Sequence, residues 1–450
     1  MQKTLKWMGI AALVLVVLPL GVVIAINAFD EKPNPWTASL GVFKPSAVPE
    51  AENAYVALIA MAAGDGADGT AYAREWLAEE RAAARERRAP AKIAVKRARR
   101  PEICDPAQVS CLTVVRDAPA DMDSRLHAYK EDLDRYEKLI ALRAYREILD
   151  YPFRLESQFP SYLHLAAAQR AYLARAAQKA HAGKIADALS DVERDIAFQR
   201  VMLDGAGTLV GKMVAVAHYM RDLAFVTDLL QTHAAGLRAF VPRLREMLKP
   251  IAPAALQMDE IIDSEYGFMA QALKNPAAGG LTAEGRWLDK IATRFFYQPN
   301  ATLNKLHEQY LQTAGLLRQP PAALAFERDH PAVVEEWKLR DTIHNPMGKV
   351  MLQTGMPSFV PYALRLVDLD ACNRLVGLGV EVLAANLRAP DVANGVAELA
   401  AKSDARFHDP YSGKPMTWDA GSSQLSFRAG AARGARKVFN LEQGRLFIRL

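Results

Sequence analysis

Cysteine is scarce in this chain of 450 residues, with three in all, at positions 104, 111 and 372. None forms a C-x-x-C pair, and no two histidines share a helical face within two turns. Zinc sites of ordinary spacing are therefore not expected. His307-Glu308 begins a zinc-helix pattern, but Leu311 stands where the second histidine is needed. A complete phosphate loop is also missing from Gly205-Ala-Gly-Thr-Leu-Val-Gly-Lys212, because Ala206 replaces the first glycine of the motif and Met213 the metal-binding hydroxyl. No catalytic, cofactor-binding or metal-ligating set emerges, and no cofactor is expected. Low-complexity tracts are absent as well. With hydrophobic residues at 51%, many of them Ala and Leu, the composition is that of an ordered, helix-rich protein.

Charge is lacking altogether from Trp7 to Phe29. Those 23 residues make about 35 Å of helix, enough to cross the hydrocarbon core of a bilayer. Pro19 is tolerable within such a helix. The alternative is a signal peptide cut after Ile26-Asn27-Ala28, leaving Phe29 first, but the apolar run is longer than a usual signal core. Residues 1–29 are therefore expected to be a tail and transmembrane anchor. Lys3 and Lys6 precede the span and Asp30, Glu31 and Lys32 follow it, which places the body outside the cytoplasm by a thin margin. Cysteine supports that side. Cys104 and Cys111 lie in a proline-containing, non-helical stretch where they can pair in an oxidising compartment. Closing that loop would contribute about 2 to 3 kcal/mol. Cys372 reads as a small buried hydrophobe within a helix.

Beyond the anchor, Pro33, Pro35, Pro45 and Pro49 predict an extended stalk over 30–50. A mainly α body over 51–405 follows. Its first helix carries Tyr55, Leu58 and Ile59 on one face and ends at the turn Gly64-Asp-Gly66; the next spans about 71–89 and stops at Pro90. Leu126, Tyr129, Leu133, Tyr136 and Ile140 make a continuous apolar seam. Further helices are expected at roughly 161–182, 185–203, 206–234, 254–274, 282–297, 301–317, 331–343 and 361–387. The hairpin Tyr162 to Met202, turning at Gly183, weakly resembles a tetratricopeptide unit, with no second copy at that period. In 406–450, alternation at Met416/Trp418, Leu425/Phe427 and Leu446/Ile448/Leu450 predicts a small antiparallel β element.

One window is strongly basic. Arg81, Arg85, Arg87, Arg88, Lys92, Lys96, Arg97, Arg99 and Arg100 face a single acid, Glu86, a local balance of +8 in a chain of +5, so the remainder sums to −3. Near an anchor such a window suits anionic lipid headgroups or an acidic partner protein. It contains no aromatic residue, so nucleic acid is not an expected partner.

Cys104 to Leu112, Gly207-Thr-Leu-Val-Gly-Lys-Met-Val-Ala215, Pro299-Asn-Ala-Thr-Leu-Asn304, Asn345-Pro-Met-Gly-Lys349 and Asp409-Pro-Tyr-Ser-Gly-Lys-Pro415 together resemble a group of uncharacterised, membrane-anchored proteobacterial proteins. The resemblance covers residue 50 onward and implies an envelope location, but no activity, ligand or functional residue. The expectation is a non-enzymatic, inner-membrane-tethered periplasmic protein whose helical body contacts envelope proteins. The alternative is a hydrolase of cell-wall or lipid material using a carboxylate such as Glu265 as general acid. Asp259 and Asp263, one turn apart, could hold a cation, though a solvated helical face is the simpler reading.

Overall fold

Local capping sets the first helices. Asn53 accepts the Tyr55 N–H and opens α1 (Ala54–Ala60); Asp68 does the same for Thr70 and opens α2 (Gly69–Glu86). The computed structural model describes residues 7, 15, 17–18, 21–36, 47–106, 108–148, 156–274, 296–331, 343–355, 358–387, 392–430, 440–442 and 445–449. Residues 1–6, 8–14, 16 and 19–20 of the expected tail and anchor, and most of the helices expected at 282–297 and 331–343, lie outside them. Among the described residues no helix is long and apolar enough to cross a membrane.

From Pro90 to Pro101 the chain is an extended strap, and Cys111 then begins α3 (Cys111–Asp117), so the second cysteine of the expected loop is already helical. The apolar seam is real but jointed: α4 (Pro119–Ala128) and α5 (Lys130–Ile140) meet at Tyr129, and Leu126, Tyr129, Leu133, Tyr136 and Ile140 are all buried. The expected hairpin follows as α6 (Tyr162–His181) and α7 (Ile185–Gly205), turning through Gly183 at φ +77, a conformation that costs glycine little. Alanines 168, 171, 174, 176, 177 and 180 let α6 approach its neighbours closely. At the far end of α7, a Cβ on Gly205 would stand 1.8 Å from the Tyr145 carbonyl oxygen, so only glycine fits.

α8 (Leu209–Thr232), α9 (Val241–Met247) and α10 (Asp259–Lys274) continue the body. α11 (Pro299–Leu317), α12 (Pro321–Asp329), α13 (Pro346–Gly355), α14 (Val360–Ala385) and α15 (Val392–Ala401) complete it. Several of these start at proline, where the missing N–H costs nothing. α6, α7 and α8 pack in succession, α8 lies against α14, and α10 packs on α11.

The C-terminal element is an antiparallel sheet in the order β1-β2-β4-β3, from β1 (Thr417–Asp419), β2 (Gln424–Arg428), β3 (Asn440–Glu442) and β4 (Arg445–Arg449). Leu425 pairs with Ile448 and Phe427 with Leu446. These four side chains join the same apolar core as α1 to α14, so the sheet covers α14 and has no core of its own.

Candidate binding groove

The Asp409–Pro415 segment is locally determined. Asp409 accepts the Tyr411 N–H at 2.9 Å and the Ser412 hydroxyl at 2.8 Å, and Gly413 takes the positive φ that closes the turn. Tyr411 then reaches inward: its hydroxyl donates to Asp368 Oδ1 of α14 at 2.7 Å, and the Gly430 N–H, beyond β2, donates to the same oxygen at 2.8 Å. Burial together with the Asp368 carboxylate pushes the Tyr411 phenol far up, so it stays protonated as a donor.

Held this way, the segment forms one wall of a half-open groove of about 700 Å³. The other walls come from the start of α10, the end of α11, the start of α12 and one face of α14. Leu256, Ile262, Leu324 and Val367 supply an apolar lining, and charged groups stand around it. Arg318 pairs with Asp259 at 2.7 Å, and Arg374 with Asp370 at 2.7 Å. Burial raises the Asp370 pKa while the Arg374 charge opposes that rise. His408 sets Nδ1 3.0 Å from the Gly413 carbonyl oxygen and Nε2 3.0 Å from that of Ser403. Every titratable side chain on the walls is thus already engaged.

The sequence-derived candidates are dispersed. Cys104 and Cys111 are joined, with Cα atoms 5.4 Å apart, and Cys372 is buried and free. The basic window divides in two. Arg97 and Arg100 fold inward, both ion-paired to buried Asp132, and Arg97 also donates to the Met61 and Ala63 carbonyls at 2.7 and 2.8 Å. They fasten the strap and leave the anionic-surface set. Arg81 pairs with Glu50, and Arg88 with Glu79 and Glu86. Arg85, Arg87, Lys92, Lys96 and Arg99 are exposed.

Asp259 and Asp263 on α10 do not converge on a common site: Asp259 pairs with Arg318 and Asp263 accepts the Tyr310 hydroxyl, while their neighbour Glu260 pairs with Arg146. Among the described residues no cluster of His, Cys, Asp and Glu is arranged to hold a metal. Glu265 is half-buried and accepts the Leu209 N–H at 3.1 Å; burial raises its pKa. Lys212, which ends the incomplete phosphate-loop match, is buried, with Nζ on the Leu203 carbonyl at 2.7 Å and a pKa lowered by burial to about 8.

Two buried carboxylate sites escaped sequence reasoning. Glu147 accepts the Gly207 N–H at 3.1 Å and the Thr208 hydroxyl at 3.2 Å, and burial raises it to about 7. Its partners lie sixty residues onward, beyond any local pattern. Asp195 and Asp222, on α7 and α8, are both fully buried. Asp195 Oδ1 accepts from Tyr136 at 2.7 Å and from Gln199 at 2.8 Å; Asp222 Oδ1 accepts from Gln169 at 2.9 Å. Their Oδ2 oxygens find no donor, and burial raises both carboxyls, Asp222 also through the charge of Asp195 beside it. Neither residue lines the groove. No protein family, curated protein or solved structure matches the chain.

Proposed function

We propose that this chain is a non-enzymatic, membrane-tethered periplasmic protein whose body binds an extended segment of another envelope protein in the groove between α10, α11, α12, α14 and the Asp409–Pro415 loop. The observation that carries the proposal is the state of the groove's polar groups. Its volume is that of a ligand site with apolar walls and a few polar groups for orientation. Yet Asp259, Arg318, Asp370, Arg374, His408 and Asp409 are all committed to one another or to backbone, which leaves no unengaged acid, base or nucleophile. Such a lining recognises rather than reacts. The disulfide supports an oxidising compartment, and the uncharged Trp7–Phe29 run supports the tether.

A photo-crosslinking amino acid at Gln257 or Gln319, both exposed on the groove lining, tests this in whole cells. A discrete adduct that disappears on Arg318→Glu is expected. Equal adducts from the groove and from an exposed position on α2 would sink the proposal.

A second reading, a cell-wall or lipid hydrolase, draws on Glu265, whose partial burial raises its pKa in the direction a general acid needs. It requires that Glu265→Gln abolish hydrolysis of purified peptidoglycan or phospholipid; no hydrolysis by the unaltered protein ends it. The exposed cations Arg85, Arg87, Lys92, Lys96 and Arg99 suit anionic headgroups beside the tether.

A further inference from the structure

The proline-rich stretch after the apolar segment is described at 30–36 and 47–50; residues 30–34 are non-helical, and residues 30–36 do not stand off from the body. Residues 21–26 are helical, and Asn27, which ends them, is buried with all four side-chain hydrogen-bonding positions filled. Its Nδ2 donates to the Val23 and Ile343 carbonyls, each at 2.8 Å. Its Oδ1 accepts the Asn345 N–H at 2.8 Å and the Gln298 amide at 3.4 Å. Asp30 caps α11, accepting the N–H groups of Asn300 at 2.8 Å and Ala301 at 3.0 Å, which a first helical turn otherwise leaves unpaired.

Asn304 donates to Glu31 Oε2 at 2.8 Å and to the Lys32 carbonyl at 3.0 Å, and its own Oδ1 accepts the Asn34 N–H at 3.0 Å. Trp36 closes the run, stacked on His307 with ring centroids 4.1 Å apart and tilted against Tyr310 at 4.6 Å. The two asparagine-bearing motifs of the sequence, Pro299–Asn304 and Asn345–Lys349, thus meet at this seam.

We propose that residues 27–36 form a rigid collar that seats the body directly on the bilayer, with the start of α11 at the membrane surface, and that the chain is not cut after Ala28. This rests on the membrane tether proposed above. Removal of Asn27 would strand the Asn345 N–H, the Gln298 amide and the Ile343 carbonyl in a buried site, each costing more unpaired than its bond contributes. The occupant of the surface at and before the collar's start is lipid: Val22, Ile26 and Phe29 are exposed, at 49%, 43% and 85%, in a run without charge.

Intact mass of the chain from membranes, combined with hydrogen exchange at Asn300 and Ala301, tests the proposal. The expected chain retains Asn27, and Asp30→Ala speeds exchange of those two amides at least tenfold, since no helical carbonyl protects them. A mature chain beginning at Phe29 overturns it, and so does unchanged exchange in Asp30→Ala. An uncut, fully protected chain in the soluble fraction overturns the seating on lipid together with the tether. A membrane-bound chain with both amides unprotected overturns the collar and leaves the tether standing.

Discussion

Replacing Asp222 by asparagine isolates the contribution of one buried carboxyl to the pH dependence of stability. In the folded chain Asp195 is raised to about 6 and Asp222 well above its ordinary value, burial being the first cause for both. A carboxyl raised on folding binds more protons in the native state than in the unfolded one. Stability therefore falls as pH rises, from the ordinary carboxylate range up to the folded pKa. Each proton so held contributes a slope of about 1.4 kcal/mol per pH unit. Above the ordinary carboxylate range and below the raised folded pKa, the Asp222 proton adds that slope to the decline. Asp222→Asn removes the titrating group and keeps an oxygen for Gln169.

Any amide N–H of the variant left without an acceptor is a pH-independent cost of about 1 to 3 kcal/mol. The readout is the slope, not the offset. Urea unfolding of the full chain in detergent at a series of pH values should show the variant gaining on the wild type by about 1.4 kcal/mol per pH unit. Glu147 and Asp228, raised to about 7 and about 6, tilt both curves alike and cancel in the difference. Parallel curves for the two proteins would refute the raised Asp222 carboxyl.

Reduction of Cys104–Cys111, or its replacement by serines, should lower stability by about 2 to 3 kcal/mol in the same assay, from loop-closure entropy alone. Asp132→Ala leaves Arg97 and Arg100 without their buried partner and should cost about 3 to 5 kcal/mol, with proteolysis appearing first in the strap at 90–101. Gly205→Ala drives a Cβ against the Tyr145 carbonyl and should lower Tm more than any alanine placed on the exposed face of α2. Charge reversal at Arg87, Lys92, Lys96 and Arg99 should weaken binding to phosphatidylglycerol vesicles by about 1 kcal/mol per residue, with the difference vanishing in high salt.

What sequence reveals here is what repeats locally. The 3.6-residue period gave the α4–α5 seam and the hairpin, glycine marked its turn, and alternation marked β2 and β4. Two cysteines in a proline-bearing loop were enough to expect the disulfide. The short helices α3, α9, α12 and α13 escaped because a few turns carry little periodicity and are stabilised mainly by tertiary packing. The basic window misled in part because charge on the sequence does not reveal the counter-charge: Asp132, thirty-two residues beyond Arg100, turns two of its arginines into fasteners. The groove was illegible for the same reason. Its walls come from four stretches far apart in sequence, and only the Asp409–Pro415 turn announced itself.

The strand order carries a consequence for timing. β4, at residues 445–449, is not an edge but lies between β2 and β3, and its Leu446 and Ile448 cover α14. A chain emerging amino end first cannot complete this sheet, nor bury the α14 flank beside the groove, until its final strand arrives. Until that moment an apolar helix face and the unpaired edge of β2 stand open to neighbours. The protein is therefore most vulnerable to aggregation in the interval between the emergence of α14 and the delivery of β4.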